Sequence, residues 1–181
     1  LKITLITGGA RSGKSRLALE MAHKAGGPVL FVATAGAGDK EMKQRIAAHR
    51  KARPAKWMTL EVTTEVGRKI TRNIGRVRTV IIDCITLLVN NIFQQYEGAE
   101  NSLKIERAVV AEIKELIKCL ESCNARFIIV TNEVGLGIVP ADKVSRLYRD
   151  LLGKANQMLA KTADEVIFMV SGLPVYLKKK G

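Results

Sequence analysis

The residues Gly8-Gly9-Ala10-Arg11-Ser12-Gly13-Lys14-Ser15 constrain this chain more than any other stretch. They follow the apolar run Ile3–Thr7, and the helical pattern Ser12–Ala25 begins within them. The spacing fits G-x-x-x-x-G-K-[ST] at every required position. Small residues let successive backbone N–H groups turn inward around phosphate oxygens. The helix start adds its own preference for anions. Lys14 is placed to reach the β- and γ-phosphates and the Ser15 hydroxyl to bind Mg²⁺. The expectation is a nucleoside triphosphate at this loop.

The rest of the chain supplies the matching architecture. Short, β-branched, nearly continuous apolar runs occur at Ile3–Thr7, Val29–Thr34, Thr79–Asp83, Phe127–Thr131 and Val166–Val170. Continuous rather than alternating runs mark strands buried on both faces of a parallel sheet. Helical patterns separate them. Ser12–Ala25 stops at Gly26-Gly27-Pro28. Asn101–Ser122 carries Leu103, Val110, Ile113, Ile117 and Leu120 as one expected apolar stripe. Asp142–Thr162 reads as a further long helix. The end, EVIFMVSGLPVYLK, reads as two strands joined at Ser171-Gly172, an antiparallel edge hairpin. Alternating strands and helices predict a doubly wound α/β fold, with ligands beyond the C-terminal strand ends. No linker-like segment divides the 181 residues, so one domain spanning 1–181 is expected.

A phosphate loop needs a carboxylate for its metal. Val80-Ile81-Ile82-Asp83 ends a hydrophobic strand in Asp83, placed either for that duty or to cap the next helix. Beyond another strand, Thr131, Asn132 and Glu133 open a glycine-punctuated apolar loop, suited to sensing a terminal phosphate, positioning an acceptor or simply turning the chain. If Glu41–Pro54 is helical, Met42, Ile46, His49 and Arg53 share a face. His49 is then either a packed structural residue or an imidazole among cations, able to attack a phosphate.

Composition narrows the classes. Lys plus Arg number 30 against 17 Asp plus Glu, a net charge of +13, which favours anionic ligands. The few aromatics form no basic-aromatic ladder of the single-strand-binding kind. The three cysteines, Cys84, Cys119 and Cys123, show no C-x-x-C spacing, and the two histidines offer little to a zinc site. Reduced thiols are expected. No apolar run reaches the roughly 20 residues of a membrane span. The first residues do not read as a signal peptide, so a cytoplasmic protein is expected.

Longer stretches carry a resemblance. TGGARSGKSR, VATA, DKEMKQRIAAHRKARPAKW, TLE, IIDCITLLVNN, VTNEVGLGIVP and RLYRDLLGKANQMLAKTADEV leading into VSGLPV occur in this order over nearly the whole chain. Together they resemble the bifunctional adenosylcobinamide kinase / adenosylcobinamide-phosphate guanylyltransferase family of cobalamin biosynthesis. The resemblance implies a P-loop, RecA-like α/β fold and two reactions. One phosphorylates adenosylcobinamide with ATP or GTP. The other transfers GMP from GTP to adenosylcobinamide phosphate through a guanylylated histidine, which falls on His49. Ala48 stands where some relatives carry a second histidine. His23 matches no family motif and is read as surface.

The resemblance also implies nucleotide contacts at Gly8 to Ser15, at Ala33, Thr34 and Ala35, at Arg50, Lys51 and Ala52, and at Glu61 and Asp83. Glu61 suits a guanine reader, because a carboxylate accepts from the N1–H and N2–H₂ edge that adenine lacks; the alternative is a surface strand residue. Asp83 and Glu133 are both candidates for the kinase-step base. A homotrimer is implied, in which Arg146 and Arg149 either serve a neighbouring subunit's site or lie on a solvated helix face. The alternatives are a guanylyltransferase without kinase activity, a P-loop ATPase acting on nucleic acid, and a non-catalytic nucleotide-binding module.

Overall fold

The computed structural model describes residues 2–36, 53–96 and 102–179. β1 (Ile3–Gly8), β2 (Val29–Ala33), β3 (Met58–Glu61), β4 (Thr79–Asp83), β5 (Arg126–Val130), β6 (Glu165–Val170) and β7 (Leu173–Lys179) form one sheet in the order β3-β2-β4-β5-β1-β6-β7. All neighbours pair in parallel except β6 and β7. The acid-bearing strand β4 is thus separated from β1 by β5. The expected mostly parallel α/β fold with an antiparallel C-terminal strand pair is present. β3 is additional to the strands expected from the sequence: its MTLE is short and its burial weak, as suits an edge strand.

The helices are α1 (Lys14–Ala25), α2 (Val66–Asn73), α3 (Ile85–Phe93), α4 (Ser102–Ser122) and α5 (Lys143–Thr162). Alternation along each strand divides the core. On one face Val80 and Ile82 pack with Leu5, Ile129 and the inner sides of α2 to α5. On the other, Ile81 joins Ile6, Phe31 and Ile128 beneath Ala18 and Ala22 of α1 and the buried Trp57. Helix ends follow their sequence signals. α1 stops at Gly26, with φ 67°, and the Asp142 carboxylate caps α5 by accepting from the Ser145 amide at 2.7 Å.

One expected stripe is corrected. The buried face of α4 is Ile105, Val109, Ile113, Leu116 and Leu120, whereas Leu103 is 69% exposed and Val110 and Ile117 are only half-buried. Leu103, Val110 and Ile117 recur every seven residues and flank the true seam, which an apolar pattern covering more than half the helix circumference conceals. The β6–β7 turn behaves as expected. Ser171 (φ 50°) and Gly172 (φ 84°) are both left-handed, the backbone of a two-residue hairpin turn that matches strand twist.

Candidate active site

The loop from Gly8 to Ser15 crosses the C-terminal end of the sheet between β1 and α1. Gly8 has φ 147°, and a Cβ there would lie 2.5 Å from the Met169 carbonyl. Gly13 (φ 94°) is packed against Gly172. The Gly172 amide donates to the Ser12 carbonyl at 3.2 Å. The β6–β7 turn therefore buttresses the loop from outside. Inside it, Lys14 is 7% exposed, and its Nζ donates to the Gly9 carbonyl and sits 3.4 Å from Ser12 Oγ. Burial lowers the Lys14 pKa, while Cys84 and Asp83 nearby act to raise it. No acidic residue stands in the first turn of α1, so its N-terminal dipole is unopposed by a side chain.

The strand ends beside the loop are in register. Ala33 of β2 pairs with Asp83 of β4 and with Glu61 of β3, and Asp83 pairs with Val130 of β5. Thr34, fully buried, joins them. Its hydroxyl donates to the Cys84 carbonyl at 2.6 Å and accepts from the Cys84 amide at 2.8 Å, and its amide donates to the Asp83 carbonyl at 3.2 Å. The Thr34 carbonyl accepts from Asn91 Nδ2 at 2.7 Å. The backbone that presents Asp83 is thus held from both sides. Burial pushes the Cys84 thiol up to about 11, with the Asp83 charge acting in the same direction.

The exit from β5 is equally constrained. The Thr131 hydroxyl donates to Asn156 Oδ1 at 2.7 Å, Asn156 Nδ2 donates to the Asn132 carbonyl, and the Asn132 amide donates to Thr86 Oγ1 at 2.8 Å. The Tyr148 hydroxyl donates to the Thr86 carbonyl at 3.0 Å. Burial raises the Tyr148 pKa to about 12, assisted by Cys84. The Glu133 amide donates to the Gly8 carbonyl at 3.0 Å, while its carboxylate accepts from the Gly135 amide at 2.6 Å.

The structure therefore brings Gly8 to Ser15, Ala33, Thr34, Asp83, Asn132 and Glu133 to one edge of the sheet. Ala35 follows Thr34 and is half-buried; Glu61 is exposed on the edge strand. Arg146 donates to the carbonyls of Pro140 and Ala141, tying the preceding loop to its own helix, and Arg149 pairs with the adjacent Asp150. His23 is exposed. His49, Arg50, Lys51 and Ala52 lie outside the described residues, as does most of the segment expected to be helical around them; Arg53 lies in a bend, with its guanidinium 3.6 Å from the Phe31 ring centroid.

Residue-by-residue reading missed several supporting groups. Met169 and Gly172, which confine the phosphate loop, sit in or next to VSGLPV; Asn91 sits in IIDCITLLVNN; Tyr148 and Asn156 sit in the stretch beginning RLYRD. The motifs contained them, but only the folded chain assigns them their partners. Among the described residues no cluster of three or more His, Cys, Asp or Glu could hold a metal ion. The pair Ser15 and Asp83, a hydroxyl and a carboxylate at the phosphate end of the site, suits an Mg²⁺ that keeps several waters and takes its remaining oxygens from substrate phosphates.

Known proteins resemble this chain over nearly its whole length. The family model described as "CobU: Cobinamide kinase / cobinamide phosphate guanyltransferase" matches residues 4–177. The bifunctional adenosylcobalamin biosynthesis protein CobU of Escherichia coli K12 is 41% identical over 179 residues, covering 96% of this chain and 98% of that protein. The corresponding CobU of Salmonella typhimurium is 42% identical, with the same coverage. The bifunctional adenosylcobalamin biosynthesis protein CobP of Pseudomonas aeruginosa is 41% identical, covering 96% of each chain. The chain belongs to the cobinamide kinase / cobinamide phosphate guanyltransferase family.

Proposed function

We propose that this protein phosphorylates the hydroxyl of adenosylcobinamide with ATP or GTP, and then transfers GMP from GTP to adenosylcobinamide phosphate, giving adenosylcobinamide-GDP and pyrophosphate. The observation that carries this reading is the phosphate loop closed around the buried Lys14, with Asp83 near enough to act on its charge. The family relationship names the acceptor.

In the kinase step the loop amides and Lys14 hold the phosphates and the chemistry is positioning and charge neutralisation. The acceptor hydroxyl attacks the γ-phosphorus, the bond to the β-phosphate bridging oxygen breaks, and the hydroxyl proton is taken by a nearby carboxylate. Asp83 and Glu133 are both candidates for that proton, and the Glu133 carboxylate also accepts from the Gly135 amide of its own loop. Ser15 and Asp83 would hold Mg²⁺, which when bound supplies neutralisation of phosphate charge.

In the transferase step an imidazole nitrogen of His49 attacks the α-phosphorus of GTP and pyrophosphate leaves. A phosphate oxygen of adenosylcobinamide phosphate then attacks the same phosphorus, breaking the P–N bond and restoring His49. The covalent intermediate divides one difficult transfer into two easier ones. Arg50 and Lys51 supply positive charge beside the nucleophile, Ala33, Thr34, Ala35 and Ala52 complete the nucleotide contacts, and Glu61 reads guanine. The chain works as one domain, as a homotrimer, in the cytoplasm; no helix among the described residues is long and apolar enough to cross a membrane.

The test is to incubate the protein with Mg²⁺ and α-labelled GTP, denature it and look for label on the chain, with γ-labelled GTP and His49→Ala as parallel arms. Acid-labile, alkali-stable α-label that His49→Ala abolishes is the expected result. Hydrolysis without α-label, stimulated by polynucleotide, would overturn the reading in favour of an ATPase. Label transfer to adenosylcobinamide phosphate without phosphorylation of adenosylcobinamide would reduce it to the transferase alone.

A further inference from the structure

We propose that the aromatic cleft between α3 and α5 seats the corrin ring of the acceptor, delivering its aminopropanol arm to the phosphate loop. This inference rests on the activity proposed above and assigns that activity's acceptor site.

A cobinamide is a broad, flat, largely hydrocarbon macrocycle fringed with primary amides. Its reacting hydroxyl sits on a flexible arm. A surface that holds it needs apolar walls, an amide-bonding rim and a place next to the phosphates. The cleft of about 390 Å³ at α3 and α5 has each of these. Its walls are Phe93, Tyr96, Ile105, Val144, Leu147 and Tyr148, with Phe93 and Tyr148 in edge-to-face contact at 5.4 Å between centroids. Asn90, Gln94 and Ser145 at the same cleft supply two side-chain amides and a hydroxyl, groups that both donate to and accept from primary amides.

Its position is set by a short chain of hydrogen bonds. Tyr148, a wall of the cleft, bonds the Thr86 carbonyl, and the Thr86 hydroxyl receives the Asn132 amide. The next residue, Glu133, bonds Gly8 of the phosphate loop. The loop that leads from this edge into α5 carries Leu136, Ile138 and Val139 at 79%, 96% and 63% exposure. Apolar side chains held in water beside a catalytic edge favour a large apolar ligand. The cleft is smaller than a corrin ring, so it grips one edge of the macrocycle and leaves the rest to neighbouring surface.

A second cleft, about 480 Å³ between α4 and α5, has among the described residues no aromatic wall, no side-chain amide and no link to the phosphate loop. Its walls include Leu103, Val110 and Ala111, but its polar groups are the charged Glu106, Arg107, Lys114 and Lys154, with Glu106 and Lys154 paired at 2.6 Å, and it shares no residue with the hydrogen-bond chain to the phosphate loop.

The experiment measures adenosylcobinamide binding by equilibrium dialysis, using the ligand's visible absorbance, for wild type, Val144→Glu and Gln94→Lys. Both positions are exposed, so neither change is expected to unfold the chain. A fluorescent GTP analogue is titrated in parallel and each variant's subunit mass is measured by sedimentation. Corrinoid affinity falls about tenfold or more in both variants, and GTP affinity stays within about twofold. Wild-type corrinoid affinity in both variants overturns the assignment alone; if the variants also lose subunits, the cleft is a contact between copies of the chain. Absence of corrinoid binding by wild type overturns the proposed activity and this assignment with it.

Discussion

The backbone amide of Gly172, in the turn between the last two strands, donates to the carbonyl of Ser12 in the phosphate loop at 3.2 Å. Residues 160 positions apart therefore share one structural task, and the C-terminal hairpin supports the Gly8–Ser15 loop. Gly172 has φ 84°, where an L side chain costs roughly 1–2 kcal/mol. At Gly8 strain is joined by collision, since a Cβ would meet the Met169 carbonyl at 2.5 Å. Gly9 has nothing within 4 Å of such a Cβ. The alanine series is thus expected to rank Gly9, Gly172, Gly8 in increasing loss of thermal stability. Gly172→Ala also raises KM for GTP while Tm falls by only about 2–8 °C. Equal melting curves for all three variants would refute the ranking.

Thr34 and Cys84 give a second prediction. One hydroxyl satisfies both the amide and the carbonyl of Cys84 in a fully buried position. Thr34→Val keeps the shape and removes both bonds; the Cys84 amide loses that partner at about 1–3 kcal/mol, while the Cys84 carbonyl still accepts from the Leu88 amide at 3.2 Å. Tm is expected to fall by about 5 °C or more, with kcat reduced because the adjoining Asp83 is no longer held. Thr34→Ser restores most of both. A Thr34→Val protein with wild-type Tm would show that the bridge carries little.

How much of this was legible beforehand depends on how local the signal is. The phosphate loop, Asp83 and the buried strands were legible because glycine spacing and continuous β-branched runs act within a few residues. The hairpin turn was legible from Ser171-Gly172 for the same reason. The α4 seam was misjudged because Leu103, Val110 and Ile117 are apolar without being inward, and only the position of α2 and the sheet decides between adjacent stripes. The roles of Gly172, Asn91, Asn156 and Tyr148 were not legible one residue at a time. Each depends on a partner from 24 to 160 residues away in sequence. His49, the nucleophile that the family resemblance implies, lies outside the described residues.

The thiols make stability pH-dependent in a defined direction. Burial raises Cys84 and Cys119 from 9.0 to about 11, and Tyr148 from 10.0 to about 12. Above pH 9 the unfolded chain releases these protons while the folded chain retains them, so folding stability falls as pH rises toward about 11. Lys14 acts oppositely, because its lowered pKa means that the folded chain releases its proton first and is relatively favoured as pH rises toward 10.5. Three groups outweigh one, and urea midpoints are expected to decline from pH 9 to 11. Replacing Cys84 and Cys119 together by Ala flattens the decline. A midpoint that rises across this range would show that Lys14 dominates.

Asp83 separates metal duty from helix capping. Its register beside Ala33 and Val130 places it at the C-terminal edge of the sheet, and its charge works against the lowering of the Lys14 pKa by burial. The helix that follows takes Cys84 as its N-terminal cap and receives no side-chain cap bond there. Asp83→Asn keeps the size and removes the charge. It is expected to lower kcat for phosphorylation by about 100-fold or more and to raise the Mg²⁺ concentration needed for half-maximal rate. A purely structural Asp83 would instead lower Tm and leave the Mg²⁺ dependence of the surviving activity unchanged. The decisive measurement is the Mg²⁺ titration of the variant's residual rate, made at saturating GTP so that altered nucleotide binding does not masquerade as altered metal binding.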